Sequence, residues 1–422
     1  MEPIIRIDSD GLFKWDVITT YFDQDGVIQA KITAYDDGSQ REDLYAGGVL
    51  DRVVTTDADI ASGGANLYDW ETITVYYATD GSKVADETIY DDGAMKVKVY
   101  EAGTLSQSTE TDPANARFYD TIETYYGPDG IILARETFYD DGRSTLLQYD
   151  NGVKAQETKS DVANVASWEQ IETYFDILTG QKLFKTTRYD NGIERDEHYS
   201  SGALERVVQR DTSVDGATGQ SDFAWDETTT IYDSAGNKVF FEQKYDNGLL
   251  RQTQFENGRA LVKEQFDTLD SKSWDRISSF YDQQGEVFQT TTRYDNGIEA
   301  RTLFEGGVRS SREENDWFNA ANWRSKTTTY DAEGDVASTQ VVLDNNDKRI
   351  TVMSPDGTRD FMILVDGNNS DPWGVRVSDY DAFGANPVHT TYDSIMDVPM
   401  PYAGYLVTND DEPTGPPPPD LG

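Results

Sequence analysis

The chain of 422 residues has no cysteine, only two histidines and no long hydrophobic run. Without cysteine it can form neither disulfides nor thiolate metal sites. The two imidazoles, His198 and His389, lie in unlike sequence contexts, so a Ser-His-Asp arrangement is not expected. No apolar run reaches the roughly 20 residues of a membrane span. The start, Met1-Glu2-Pro3-Ile4-Ile5-Arg6, lacks the basic residues and apolar stretch of a signal peptide.

Positive charge is also scarce. Lys and Arg total 36 against 78 Asp and Glu, which gives a formal net charge of −42. Nucleic acids and anionic membranes both reward a positive surface, so neither is expected as a partner. Glycines occur at hairpin spacing and form no Walker-type or dinucleotide-binding loop. We therefore predict no catalytic, cofactor-binding or metal-binding residues and expect a protein that is not an enzyme.

What the sequence does contain is one short phrase, Tyr-Asp-Asp/Asn-Gly, in six copies. Asp-Gly and Asn-Gly between alternating segments are strong signals for a tight β-hairpin, because the turn needs residues that tolerate positive φ. Six copies in one phase indicate a repeat array. The copies begin at Tyr35, Tyr90, Tyr139, Tyr189, Tyr245 and Tyr294.

The repeat is phased by an aromatic residue that opens each unit. These phase-marking aromatics are Trp15, Trp70, Tyr119, Trp168, Trp225, Trp274, Trp323 and Trp373, and most lie 49 residues apart. A first turn glycine follows each of them by 11 or 12 residues, and the Tyr-Asp-x-Gly turn begins 20 or 21 residues after them. A third turn follows, as in Tyr45-Ala46-Gly47-Gly48. Three turns predict four strands of about six to eight residues in each unit.

The segments between these turns are typical of β-strands. They are rich in Thr, Val, Ile, Tyr and Phe, as in Trp70-Glu71-Thr72-Ile73-Thr74-Val75-Tyr76-Tyr77. No helical periodicity is sustained, which excludes an α/β fold. After the fourth strand of the regular units, an Asp precedes the next aromatic by seven residues, as Asp161 precedes Trp168. Because Asp is a good helix N-cap, this connector is predicted to contain a single helical turn. Two connectors are longer, around Ser62-Gly63-Gly64 and Gly216-Ala217-Thr218-Gly219.

The ends of the chain depart from the repeat. Residues 1–14 contain a strand, Ile4 to Ile7, that matches the last strand of a unit. Residues 15–322 hold six regular repeats, and residues 323–409 hold degenerate repeats seven and eight, predicted to form a capping or attachment region. Residues 410–422 include four consecutive prolines and are predicted to be a disordered tail. The chain thus has about seven full units plus partial ends.

Two all-β architectures fit tandem repeats of about 49 residues with four antiparallel strands. One is an extended or spiralling β-meander with a thin core, which the scarcity of aliphatic residues favours. In Ile193-Glu194-Arg195-Asp196-Glu197-His198, for example, only one residue is aliphatic, and such a strand cannot place both faces in a dry core. The other is a closed β-propeller, in which the N-terminal strand would complete the eighth unit.

The first-turn phrases resemble the Tyr-Asp-x-x-Gly core of YD-repeat proteins. They read Tyr232-Asp233-Ser234-Ala235-Gly236, Tyr281-Asp282-Gln283-Gln284-Gly285, Tyr330-Asp331-Ala332-Glu333-Gly334 and Tyr380-Asp381-Ala382-Phe383-Gly384. That family builds spiralling hairpin shells and fibres in bacterial toxins and adhesion proteins. The Tyr-x-Asn-Gly hairpins are similar to MORN-like repeats, which serve as binding scaffolds. The whole unit is similar to repeat tracts of exported bacterial surface proteins and of phage structural proteins. The resemblance implies a class of β-hairpin repeat protein.

Together these features predict a structural or interaction protein, with a bacteriophage virion component (fibre, tail or capsid-decorating protein) as the first interpretation. The alternatives are a bacterial surface adhesin exported without an N-terminal signal and a propeller-type protein that binds or acts on glycans. Expected partners are other structural proteins of the same assembly, or a cell-surface receptor or glycan, and an oligomer is possible. The expected location is the virion or the cell surface. Asp-rich turns such as Asp36/Asp37, Asp91/Asp92 and Asp140/Asp141 are interpreted first as turn residues and second as calcium ligands.

Overall fold

The structure is a computed structural model that describes residues 2–63, 66–213 and 223–406. Its contacts divide the chain into two units, Met1–Asp222 and Phe223–Gly422. Each unit is built of antiparallel strands that pair in chain order, which confirms the predicted all-β class of tandem hairpin repeats. The insertion predicted at 216–219 and the tail predicted at 410–422 lie outside the described residues.

The described residues of unit 1 form seventeen strands, most of them seven to nine residues long. They are β1 (Ile4–Ile7), β2 (Trp15–Phe22), β3 (Ile28–Tyr35), β4 (Gln40–Ala46), β5 (Val49–Thr56), β6 (Trp70–Tyr77), β7 (Lys83–Tyr90), β8 (Met95–Glu101), β9 (Thr104–Thr111), β10 (Tyr119–Tyr126), β11 (Ile132–Tyr139), β12 (Arg143–Asp150), β13 (Val153–Asp161), β14 (Trp168–Phe175), β15 (Lys182–Tyr189), β16 (Ile193–Ser200) and β17 (Ala203–Asp211).

Residues 223–406, the described part of unit 2, form fourteen strands followed by two short 3-10 helices at Ile395–Asp397 and Tyr402–Tyr405. The strands are β18 (Trp225–Tyr232), β19 (Lys238–Tyr245), β20 (Leu249–Glu256), β21 (Arg259–Asp267), β22 (Trp274–Tyr281), β23 (Val287–Tyr294), β24 (Ile298–Glu305), β25 (Val308–Asp316), β26 (Trp323–Tyr330), β27 (Val336–Leu343), β28 (Lys348–Met353), β29 (Arg359–Val365), β30 (Val375–Asp379) and β31 (Val388–Tyr392).

Strand pairing continues across the joints between repeats. Within each unit, fourth strands bond to the first strand of the next repeat, as β5 to β6, β9 to β10 and β13 to β14 in unit 1, and β21 to β22 and β25 to β26 in unit 2. The propeller alternative is therefore wrong, because propeller blades are separate four-stranded sheets. The N-terminal strand β1 pairs antiparallel with β2.

The phase-marking aromatic and the tyrosine of the second turn are cross-strand partners. Trp15 pairs with Tyr35, and a β-bulge follows at Asp16. The pair explains why both aromatics recur at a fixed offset, since directly opposed aromatics stabilise a sheet. A bulge re-aims the side chain at its extra residue. The same pairing and shift occur at Trp70, Tyr119, Trp168, Trp225 and Trp274. At Trp323 the shift is the same, but the cross-strand partner is Leu343.

Most strands are half-buried on both faces, and the well-buried apolar core lies at the C-terminal end of unit 2. All eight residues of β6, for example, are half-buried. The core cluster comes from β28, β29, β30 and the segment after β31. Its buried members are Ile350, Val352, Phe361, Ile363, Val365, Val375, Val377 and Val398. The repeats predicted to be degenerate are thus where unit 2 buries its aliphatic side chains.

The connectors are mostly irregular loops, which corrects the predicted helical turn. Among the described connectors only the second contains an α-helix, α1 (Ala58–Ser62). Elsewhere the connector Asp accepts hydrogen bonds from backbone N–H groups four and five residues later. Asp161 accepts from Val165 at 3.1 Å and from Ala166 at 2.5 Å. The side chain therefore closes a loop instead of capping a helix.

Candidate functional site at the connector edge

In each unit, the connectors and the second turns meet at one edge of the sheet, here called the connector edge. In an antiparallel meander, alternate connections lie at the same end of the strands. The second turn, between the second and third strands of a repeat, therefore lies at the same end as the connector that follows the fourth strand. Five second-turn glycines lie so close to the connector that an added Cβ would meet the residue two positions after the connector Asp. These neighbours are Ala114 for Gly93, Ala163 for Gly142, Ser213 for Gly192, Leu269 for Gly248 and Phe318 for Gly297. The first and third turns lie at the opposite end, here called the turn edge.

Within the second turn, the residue before glycine makes the structural hydrogen bond. Asp37 Oδ1 accepts from the Ser39 backbone N–H at 2.9 Å and from Ser39 Oγ at 2.6 Å. These bonds lower the pKa of Asp37. The equivalent acceptors are Asp92, Asp141, Asn191, Asn247, Asn296 and Asn345. This confirms the turn interpretation for one of the two acidic positions.

The first aspartate of the phrase has a different environment. Asp36 lies near Asp16 and Asp8, and partial desolvation together with repulsion from these carboxylates raises the pKa of Asp36. Desolvation and the charges of Asp120 and Asp112 likewise raise the pKa of Asp140. In unit 2 the pKa of Asp295 is raised in the same way, with Asp270, Asp275 and Asp267 as the nearby charges. The interpretation of both aspartates as turn residues is incomplete.

Each cluster combines a connector Asp, the acidic residue at the bulge and the first Asp of the second turn. We call such a set a carboxylate triad. By position in the repeat, the triads of unit 1 are Asp8/Asp16/Asp36, Asp57/Glu71/Asp91, Asp112/Asp120/Asp140 and Asp161/Glu169/Asp190. The fourth triad lines an open cavity of about 460 Å³ together with Val162 and Asn164. Recurrence of the triads gives unit 1 a row of negative charge along one edge.

One triad contains a buried oxygen without a partner. Asp112 is only 4% exposed. Its Oδ2 accepts from the Arg117 backbone N–H at 2.5 Å. Its Oδ1 is buried and accepts no hydrogen bond from the described residues. A buried carboxylate oxygen left without a donor is costly, because it has lost water without gaining a replacement.

Large apolar side chains alternate with the triads. Phe118 is 73% exposed and Val162 is 86% exposed, and Phe118 stacks against Tyr139 at 6.3 Å between ring centroids. We call the exposed set of unit 1 the connector hydrophobics, and it comprises Leu12, Phe13, Leu67, Tyr68, Phe118, Val162 and Val165. The phase-marking aromatics are more covered, as at Tyr119, which is buried. Sequence reasoning missed the connector hydrophobics because they follow no strand alternation.

Arg117 fills one position of this edge with a cation from the chain itself. Its guanidinium lies 5.0 Å from the Tyr90 ring centroid and 6.0 Å from that of Tyr119. It donates to Asp92 Oδ2 at 2.8 Å and to the Tyr119 hydroxyl at 2.7 Å. These contacts raise the pKa of Arg117, with the bond to Asp92 as the largest cause. The edge can therefore hold a guanidinium by aromatic and carboxylate contacts together.

Each of the two histidines contacts a side chain on a neighbouring strand. In unit 1, His198 lies against Phe184 with ring centroids 4.8 Å apart. In unit 2, His389 Nδ1 lies 2.8 Å from Ser378 Oγ, its cross-strand partner. Ser378 has no accessible surface, so its hydroxyl cannot meet a substrate in this conformation. Sequence reasoning did not identify this Ser-His pair.

Calcium coordination receives no support from side-chain geometry. Across the described ranges, no group of three or more His, Asp or Glu side chains is arranged to hold a metal ion. Asp23, which opens an EF-hand-like phrase, accepts instead from the backbone N–H groups of Asp25 and Val27. No helix in the described part of the chain is long and apolar enough to cross a bilayer.

Comparisons with known proteins give only distant likenesses. No protein-family model matches the chain, and no curated protein matches it. Among solved structures, the Photorhabdus luminescens Tc holotoxin pore matches 92% of this chain at 12% identity with a TM-score of 0.17. The crystal structure of TcdB2-TccC3-TEV matches 89% at 13% identity with a TM-score of 0.18. This chain spans about 24% of the length of each matched chain. The resemblance to YD-repeat proteins stays at the level of tandem β-hairpins.

Proposed function

We propose that the chain is a non-enzymatic structural scaffold that presents a polar β surface within an assembled particle. The observation that supports this most is the pairing of fourth strands with the next first strands, as in β9 with β10. Pairing of this kind joins successive repeats through backbone hydrogen bonds, so each unit is a continuous sheet with polar faces. Such a sheet supports surface presentation more readily than catalysis, which requires converging groups in a water-excluded pocket.

The finer proposal is that the particle is a bacteriophage virion, with the chain as a fibre, tail or capsid-decorating protein. It is supported by the high acidity, the absence of cysteine and the hairpin repeats, which suit a soluble component assembled without disulfides. Partners would then be other structural proteins of the same virion. An adhesin on a bacterial surface is the competing proposal.

Immunogold electron microscopy tests both proposals in one preparation. Antiserum against the purified chain would be applied to a culture of the source that contains both cells and released particles. Gold at a fixed position on tailed particles is the expected result. Gold confined to the cell envelope would overturn the virion proposal in favour of the adhesin. Gold confined to the soluble fraction would overturn the scaffold proposal itself.

A further inference from the structure

The connector edge of unit 1 concentrates negative charge in its four carboxylate triads. In two of its triads, desolvation and mutual repulsion raise the pKa of Asp36 and of Asp140. The buried Oδ1 of Asp112 lacks a donor in the same cluster as Asp140. That oxygen is not accessible to solvent, so a docking cation would act on the exposed carboxylate of Asp140 and relieve its repulsion.

At one joint the connector edge holds a cation of the chain itself, through aromatic rings and the turn carboxylate of Asp92 beside a triad. Arg117 occupies the position two residues before a phase-marking aromatic, between Tyr90 and Tyr119 and against Asp92. In the next repeat the equivalent position is Ala166. A methyl group cannot make these contacts, and the open cavity lined by Asp161, Glu169 and Asp190 lies in the same connector region.

The edge is apolar as well as acidic, which distinguishes it from a site for a simple ion. Phe118, Val162 and Val165 are exposed beside the triads. Hydrated metal ions gain nothing from such side chains, whereas a polypeptide with apolar residues between its cations gains burial on them. Neutral glycans would use the aromatic surface but not the recurring carboxylates.

We propose that the connector edge of unit 1 is a docking surface for a Lys- and Arg-rich polypeptide segment. Its ammonium and guanidinium groups enter the carboxylate triads, and its apolar side chains lie on the connector hydrophobics. Charge complementarity selects this occupant, because the whole chain carries −42 and repels an acidic partner or a second copy of itself. The proposal deepens the scaffold function by giving the partner's chemistry.

The repeat sets the spacing of the partner's cations. Successive triads are separated by four strands, which at about 4.8 Å per strand is roughly 19 Å. An extended chain covers that distance with about six residues. We therefore expect basic residues about six positions apart to bind better than the same residues at other spacings.

The test is a fluorescence-anisotropy titration of the full chain at about 150 mM salt, where weak surface attraction is screened. The probe is a labelled synthetic peptide with adjacent Lys and Leu about every six residues in a Gly/Ser/Thr background. Control peptides carry Glu in place of Lys, or the same Lys and Leu about four residues apart. The variant Asp36→Asn/Asp140→Asn/Glu169→Gln removes three carboxylates from the connector edge.

A matched variant, Asp25→Asn/Glu101→Gln/Asp150→Asn, removes three exposed carboxylates from the turns at the opposite edge of unit 1. Both variants change the net charge equally, and circular dichroism checks that both remain folded. The expected result is at least about a tenfold loss of affinity for the connector-edge variant and less than about a twofold loss for the turn-edge variant.

Equal losses in the two variants would overturn the proposal, because they would indicate general attraction to an acidic protein. Failure of the peptide to bind would overturn it too. Displacement of the peptide by calcium beyond the effect of matched ionic strength would replace it with a divalent-cation site. The immunogold experiment does not depend on this peptide. A negative titration would therefore overturn the docking proposal without bearing on the scaffold function.

Discussion

Asp36 and Asp37 are neighbours in one turn, and their side chains have opposite electrostatic environments. Asp37 accepts hydrogen bonds from the backbone N–H and the hydroxyl of Ser39, which lower the pKa of Asp37. Partial desolvation and the charges of Asp16 and Asp8 raise the pKa of Asp36. One aspartate therefore stabilises the turn, while the other is held among like charges.

The two aspartates should respond in opposite ways to substitution. Asp37→Ala removes both hydrogen bonds to Ser39 and should destabilise unit 1 by about 1 kcal/mol, since the site is exposed. Asp36→Asn removes a repelled charge and should raise the melting temperature at pH 7. Asp37→Asn is the control and should stay near wild type, because Asn191 makes the same turn bond in its own repeat. Thermal melts of the three variants decide this, and an Asp36→Asn variant that melts below wild type would contradict the assignment.

The advantage of Asp36→Asn should depend on pH. Because the folded pKa of Asp36 lies above its ordinary value of 3.8, its ionisation destabilises the folded state as the pH rises through that window. Below about pH 3.8 the carboxyl is protonated in both states, so the difference from wild type should disappear. Melts at several pH values between about 3 and 7 measure it. A difference that stays constant throughout would show that charge is not its cause.

Glu110 should show the reverse dependence. Burial alone would raise the pKa of Glu110, but the ion pair with Lys96, at 2.5 Å, outweighs it and lowers that pKa below 4.5. The ionised form therefore stabilises the folded state above the unfolded pKa, and this stability is lost as the pH falls through the folded value. Glu110→Gln should be destabilised at pH 7 and should approach wild type below about pH 4. Denaturant unfolding at the two pH values checks this, and a gap that widens in acid would refute it.

The ring of Phe318 makes Gly297 intolerant of a side chain for a reason beyond backbone conformation. A Cβ at Gly297 would overlap the ring, and the residue has φ +82°. Gly258 has a similar φ of +79° but no atom within 4 Å of an added Cβ. Gly258→Ala should therefore cost about 1–2 kcal/mol from the backbone alone. Gly297→Ala should cost about 0.5–1.5 kcal/mol more, because the exposed Phe318 ring must leave its preferred position over the turn.

The double variant Gly297→Ala/Phe318→Ala separates the two costs. Removal of the Phe318 ring should recover the cost of displacing it and leave only the backbone cost. Denaturant unfolding of both single variants and the double variant completes the cycle. If the double variant is no more stable than Gly297→Ala, the connector does not cover this turn.

The aliphatic core at the end of unit 2 should be far more sensitive to truncation than the half-buried strands. Ile363 is 0% exposed within that core, so Ile363→Ala should cost about 2–5 kcal/mol. Ile277→Ala, in the half-buried strand β22 of the same unit, should cost clearly less, because fewer contacts are lost. Unit 2 unfolding by denaturant is the measurement. Equal losses would mean that the core is not concentrated in the degenerate repeats.

The sequence predicted the strands well because turn residues at fixed offsets leave little freedom. Tyr35-Asp36-Asp37-Gly38 marks a turn by backbone chemistry alone, and the Trp15 offset marks the strand that precedes it. The propeller and the meander could not be separated in this way, since both use the same turns. They differ in whether a fourth strand bonds to the next first strand, which no local pattern encodes.

The candidate site was harder to predict because its parts are distant in sequence. Asp8, Asp16 and Asp36 look unrelated until the bulge at Asp16 and the connector bring them to one edge. The recurrence of an acidic residue directly after the phase-marking aromatic was a usable signal. No sequence signal pointed to Arg117, because its partner Asp92 belongs to the preceding repeat.

The central claim is that sheet pairing continues across the joints between repeats, and the absence of cysteine makes it directly testable. Thr109 in β9 lies opposite Glu123 in β10. The double variant Thr109→Cys/Glu123→Cys should form a disulfide under mild oxidation, because directly opposed residues of an antiparallel pair have Cα atoms about 4.5–5.5 Å apart, which a disulfide spans. Thr109→Cys/Thr124→Cys should not, because successive side chains point to opposite faces. A rapid disulfide in the first variant alone is the predicted result, and no disulfide in either variant, or equal rates in both, would contradict a continuous sheet.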